Sequence, residues 1–329
     1  MERWSGILKV PLNPNNRIYY RVGASLCLST SSKTLIVPSA NAIFFNGDRV
    51  QGTGNPVIER LSDLQKIAEI LVSKFGSSVN AWVIEASDFN GPFAVYKDFV
   101  PSVNSRGEPK SYSPVGFPAS TATVSLLSNC LEEAKHIISR REREPFSANS
   151  SESFFDQLKT IIMGFSKGGT VLNQLVTELG FIEAKSARRA DHIKEQPTSR
   201  ESSTIHEETR IIPRTKENLL SSIAEIHYVD VGLNSAGAYI NDQNVIERIS
   251  KHVAEESRVI RFVLHGTPRQ WCDSKRVWIR NEKDKLVNLL ESEARKNGGS
   301  LQVRKRLYFA DRPPDMQMHF EVIESMDVS

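Results

Sequence analysis

The chain has 329 residues, of which 39% are hydrophobic and 25% charged, an ordinary globular composition with material for a sizeable core. Its net charge of +3 is spread over 42 basic and 39 acidic side chains, with no basic stripe interleaved with aromatics, which sets a nucleic-acid partner aside. No apolar run approaches the roughly 20 residues that span a bilayer. Cys27, Cys130 and Cys272 are too few and too far apart for a disulfide framework or a structural zinc site, so a reducing compartment fits best and no metal is expected.

The first 47 residues are basic and almost free of acid, with serine and threonine clustered at Ser29 to Ser32. Such ends resemble organelle transit peptides, but Pro11 and Pro14 spoil an amphipathic targeting helix. The favoured reading is two strands, Ile7–Leu12 and Ile18–Leu28, joined by a turn at Asn13-Pro14-Asn15-Asn16. Ala42 to Phe45 is then a short apolar strand stopped by Asn46-Gly47-Asp48. Leu64, Ile67, Ile70, Leu71 and Phe75 fall at helical spacing, and Gly76 ends that helix.

Ala81 to Ile84 is the next buried strand, followed by a loop rich in proline, glycine and serine from Ser87 to Ser120. A helix over Ala122 to Arg141 leads to the strand Lys159 to Met163, and a further helix covers Thr170 to Leu179. Strands at His227 to Val231, Arg258 to Leu264 and Leu301 to Phe309 alternate with helices at Asn244 to Glu256 and Trp278 to Lys296. Continuous Val/Ile/Leu runs between amphipathic helices imply an α/β fold whose mainly parallel sheet is covered on both faces. Residues 1–329 read as one domain. Glu183 to Glu217 stands apart, with 15 charged residues of 35 and few large apolar ones, and reads as a disordered insertion. A mobile lid is its functional alternative.

Gly164-Phe165-Ser166-Lys167-Gly168 is a G-x-S-x-G sequence set between a strand and a helix. The hydroxyl of serine is a poor nucleophile until a sharp strained turn lifts it toward a base. Glycines at 164 and 168 are then required because a Cβ would collide where strand and helix meet. The helix N-terminus beside Ser166 favours a developing oxyanion. A phosphate-binding loop is excluded, since its lysine would follow the second glycine.

In this arrangement the acid and then the histidine follow the serine in chain order. Of seven histidines, His136 and His252 lie on helices and read as solvated. His192 and His206 fall in the insertion. His227 precedes the favoured acid, and His265 reads as a buried structural group and second choice. His319, beyond Pro313-Pro314 and the last strand, is the expected base. Asp273 is preferred as the acid, with Asp230 as the alternative; for Asp273 the competing reading is a helix cap. The expected oxyanion donors are the backbone N–H groups of Lys167 and Gly47.

Phe44-Phe45-Asn46-Gly47-Asp48, the segment around Ser166 with Val171-Leu172-Asn173-Gln174, Tyr228-Val229-Asp230, Trp278-Ile279 and Met318-His319-Phe320 together resemble one eukaryotic family. It is the group named for human chromosome two open reading frame sixty-nine. The resemblance runs from about Ala42 to the C-terminus, with departures at Asn46 and Gly169, where proline and a bulkier residue are expected. It implies an α/β-hydrolase-like fold, a serine hydrolase and a mitochondrial association, with a cytoplasmic location as the alternative. Together these readings lead to an enzyme that hydrolyses a small-molecule ester, thioester or amide without a cofactor. A catalytically inactive binding or scaffolding module is the competing expectation.

Overall fold

The computed structural model describes residues 2–13, 18–140, 158–182 and 211–329. Strands β1 (Glu2–Pro11), β2 (Tyr19–Leu28), β3 (Ala40–Phe45) and β4 (Val79–Ile84) precede a short hairpin, β5 (Asp88–Asn90) with β6 (Phe93–Val95). Strands β7 (Lys159–Phe165), β8 (Ile223–Val229), β9 (Ile260–Gly266) and β10 (Leu301–Leu307) follow. Apart from the hairpin they form one sheet in the order β1-β2-β4-β3-β7-β8-β9-β10. Strand β2 is antiparallel to both its neighbours, whereas every pairing from β4 to β10 is parallel.

Because side chains alternate across a strand, each central strand feeds two cores. Ala42, Phe44, Ala81, Val83, Ile161 and Met163 point to one face, where they meet α1 (Pro56–Leu61), α2 (Leu64–Phe75) and α9 (Met316–Ser325). Ile43, Phe45, Trp82, Ile84 and Ile162 point to the other. That face is covered by α3 (Pro118–Ser139), α4 (Gly169–Leu179), α5 (Lys216–Ser222), α6 (Gln243–Glu255), the short α7 (Pro268–Trp271) and α8 (Val277–Lys296). Each large apolar side chain buried here stabilises the fold by roughly 1.5–3 kcal/mol relative to exposure. The fold is α/β-hydrolase-like, with its parallel strands running directly into the turns that carry the polar residues described below.

The N-terminal segment is part of the sheet, and β1 starts earlier than the sequence suggests: Glu2 pairs with Leu28 and Pro11 with Tyr19. The centre of the expected turn, Pro14 to Asn16, lies outside the described residues, as do residues 183–210 with His192 and His206. The end of the expected insertion is a correction. Ile211 and Ile212 are buried, the Ile211 carbonyl accepts from Asn41 Nδ2 at 2.8 Å, and α5 starts at Lys216 with Thr215 as its cap. Two isoleucines beside a threonine cap gave that stretch enough apolar surface to pack.

His252 is also buried rather than solvated, 3.5 Å from Glu256. His227 and His265, on adjacent strands, stack with ring centroids 5.3 Å apart and share a contact of 3.0 Å between Nδ1 and Nε2. Glu225 lies 2.9 Å from the other nitrogen of His227, and Tyr308 Oη 2.9 Å from that of His265. Arg261 on β9 binds Glu225, Phe75 of α2 meets the His227 ring edge-on, and Lys74, Arg306 and Asp327 stand around His265. Burial holds both imidazoles below their ordinary range, His265 furthest. The folded pair therefore stays neutral where unfolded histidines, near pH 6.5, take up protons. More protons bound by the unfolded state means stability present above about pH 6.5 and lost as pH falls below it. The melting temperature should accordingly fall from neutral pH toward pH 5 more steeply in the natural protein than in a His265→Gln variant; parallel pH profiles would refute this.

Candidate active site

Strand β7 ends at Phe165, and Ser166 to Gly168 make a single tight turn before α4 begins at Gly169. Ser166 has φ +51°, a left-handed conformation that costs a non-glycine residue of order 1–3 kcal/mol and persists only where packing enforces it. The enforcement is visible on all sides. A Cβ on Gly164 would stand 2.8 Å from the Gly168 carbonyl oxygen, and one on Gly168 only 2.0 Å from that of Phe45. A Cβ on Gly47 would meet Ser166 Cβ at 2.7 Å, so the loop after β3 lies directly against the serine. Gly169 is held to glycine by Val231, whose Cγ1 would be 2.4 Å from an added Cβ.

Asp230 immediately follows β8, the neighbour of β7, and like Ser166 has a left-handed backbone, with φ +44°. Its fully buried carboxylate accepts from the backbone N–H of Thr267 at 2.7 Å and from the Thr267 hydroxyl at 2.9 Å. The remaining partner is His319 Nδ1, 2.6 Å from Asp230 Oδ2. His319 stands in the first turn of α9, a helix capped by Asp315, and its ring stacks on Phe165 at 4.6 Å. With Nδ1–H donated to the carboxylate, Nε2 keeps its lone pair. His319 and Ser166 line the same cavity of ≈ 240 Å³, together with Lys167, Phe93, Arg269 and Gln270.

The carboxylate that this geometry brings to His319 is Asp230, the alternative, and not Asp273, the preferred one. Asp273 accepts from the Lys275 backbone N–H and the Arg276 guanidinium, both at 2.8 Å, in an Asx-type turn ahead of α8. The competing helix-cap reading of Asp273 is not met either, since Arg276 precedes that helix and no side chain caps it. His265, the second choice for the base, is spent on His227 and Tyr308. Among the described residues no group of three or more His, Cys, Asp or Glu side chains could hold a metal ion, and no helix is long and apolar enough to cross a membrane.

Lys167 is only 1% exposed, an unusual fate for lysine. Its ammonium pairs with the equally enclosed Glu108, reaches the Arg106 carbonyl at 3.1 Å, and sits over the Phe93 ring. Ser235 donates to the other oxygen of Glu108 at 3.0 Å. A buried charge pair thus ties the loop after β6 to the turn that carries Ser166. Sequence reading missed it because 59 residues separate the partners and nothing local to Glu108 marks it. It also missed Asp48, which lines the cavity, accepts from the Ala94 N–H, and is pushed up in pKa by burial. Removing one member of a buried pair leaves the other charge stranded, at about 3–5 kcal/mol. Glu108→Gln should lower unfolding free energy by that amount in chemical denaturation, and a loss below about 1 kcal/mol would mean the pair is solvated.

The family model described as C2orf69 matches residues 118–294, more than half of the chain. Mitochondrial protein C2orf69 of Homo sapiens is 26% identical over 294 residues, covering 79% of this chain and 66% of that protein. Its Mus musculus homolog is 26% identical over 297 residues, covering 79% and 69%. The chain thus spans about two thirds of the length of the curated relatives it matches. Among solved structures, the siderophore hydrolase EstA from Aspergillus nidulans has a TM-score of 0.48 at 12% identity, covering 98% of this chain and 92% of that one. An IroE-like serine hydrolase from Shewanella oneidensis has a TM-score of 0.43 at 9% identity, covering 98% and 78%. With more than half of the chain matched, Ser166 and Asp230 within the span, the chain belongs to the C2orf69 family.

Proposed function

We propose that this protein is a serine hydrolase acting on an ester, thioester or amide, with Ser166 as nucleophile, His319 as general base and Asp230 as the group that orients it. The observation that carries the proposal is the 2.6 Å contact between His319 Nδ1 and a fully buried Asp230, made at the wall of the cavity that Ser166 also lines. Ser166 Oγ attacks the carbonyl carbon while its proton passes to His319 Nε2, and Asp230 stabilises the imidazolium without itself taking the proton. The oxyanion formed on the carbonyl oxygen is held by the backbone N–H groups of Lys167 and Gly47. Collapse expels the leaving group, which takes the proton back from His319. Water then hydrolyses the acyl-serine by the same route. The relatives' name as mitochondrial proteins supports a mitochondrial setting over the cytoplasmic alternative.

A fluorophosphonate probe tests the serine directly. The natural protein should label, and Ser166→Ala should lose both labelling and turnover with little change in melting temperature. Asp230→Asn should cut kcat by about 10⁴, the cost of a misoriented histidine, while Asp273→Asn should cost far less. A well-folded protein that does not label would turn the reading toward a binding module.

A further inference from the structure

The cavity beside Ser166 is lined by three cations, Lys167, Arg269 and Arg276, and their partners differ. Lys167 is taken by Glu108. Arg276 donates through Nε to Asp273 at 2.8 Å and through Nη2 to the Arg269 carbonyl at 3.2 Å. Arg269 is left over. Among the described residues its guanidinium has no hydrogen-bond or ion-pair partner, and its Nε is buried without one. The carboxylates nearest to it, Asp230, Asp273 and Asp315, are all engaged elsewhere: with His319 and Thr267, with Arg276, and with Arg312 and the Met318 N–H.

Burial and the neighbouring Arg276 both work against the charge on Arg269, which arginine nonetheless keeps. An unpaired guanidinium in a partly enclosed site is costly, and a planar fork of donors is best met by an oxyanion. A second orphan adjoins it: Gln270 Oε1 is buried without a partner at the same wall. Gly232 makes room for that amide, since a Cβ there would stand 2.0 Å from Gln270 Oε1. The cavity is also lined by one carboxylate, Asp48, which has Lys167, Glu108 and His319 among its charged neighbours.

We infer that the substrate carries an anionic oxygen group, a carboxylate or a phosphate, on a short chain a few bonds from the scissile carbonyl, and that Arg269 receives it. The inference rests on Ser166 being the reacting centre. Arg269 acts as a binding and specificity residue: it fixes which end of the acyl or leaving group enters the cavity and takes no part in proton transfer. A volume of ≈ 240 Å³ favours a short dicarboxylate monoester, or its phosphate counterpart, over a long acyl chain.

The test uses the full chain and reads the rate at which a fluorophosphonate labels Ser166. Glutarate should slow labelling of the natural protein, whereas pentanamide, of equal chain length without charge, should not. In Arg269→Gln the glutarate concentration needed for half protection should rise at least about tenfold, and Arg269→Lys should recover part of the loss. Stronger protection by inorganic phosphate than by glutarate identifies the group as phosphate, and the reverse identifies it as carboxylate. Equal protection by glutarate and pentanamide, or protection unchanged in Arg269→Gln, overturns the anionic substrate and leaves the labelled serine standing. Absence of labelling in the folded natural protein removes the serine mechanism, and this inference with it.

Discussion

No side chain fits between the end of β3 and the turn that follows β7, and the whole site hangs on that contact. The backbone of Phe45 stands where a Cβ of Gly168 would be, and Gly47 rests on Ser166 itself. Two parallel strands are thereby locked at their carboxyl ends, where open α/β sheets put their chemistry. The strain at Ser166 is sustained by this packing, as strained backbone must be. Phe165, the residue just before the serine, then serves as the floor on which the His319 ring lies. One close approach of backbone to backbone thus positions Ser166 and, through its neighbour, the ring of His319.

Charge is used inside this protein as a fastener. Glu178 accepts from the Ala119 and Ser120 N–H groups at the start of α3, and Glu282 from those of Gly237, Ala238 and Tyr239. Burial pushes the pKa of both carboxyls upward, while the backbone donors pull the other way. Glu108 does for a lysine what these do for N–H groups. Glu178 thereby ties α4 to the start of α3, Glu282 ties α8 to the loop after β8, and Glu108 ties the loop after β6 to the turn at Ser166. The outcome is a cavity whose walls come from segments far apart in sequence.

Much of this was legible from residue order. Alternating apolar runs and amphipathic helices gave the parallel sheet, and the glycines around Ser166 gave the turn. Which carboxylate lies beside His319 was harder to read, because Asp230 and Asp273 both follow strands and only burial separates them. Asp230 sits inside an apolar strand end with Gly232 after it, whereas Asp273 stands in a polar loop rich in local donors. Arg269 and Glu108 left no trace in the sequence, since a lone charge in a loop says nothing of whether its partner is water, a counter-ion or empty space. Propensity and period act over a few residues, while burial of a charge is decided by the whole fold.

The stretch between Ile182 and Ile211 leaves and rejoins the fold at a telling place. It departs after the far end of α4 and returns where Ile211 is bonded to Asn41, the second residue of β3. Ser166, by contrast, follows the last residue of β7, at the opposite edge of the same parallel sheet. A change in chain length between those two isoleucines would therefore be taken up at the end of the parallel strands remote from Ser166.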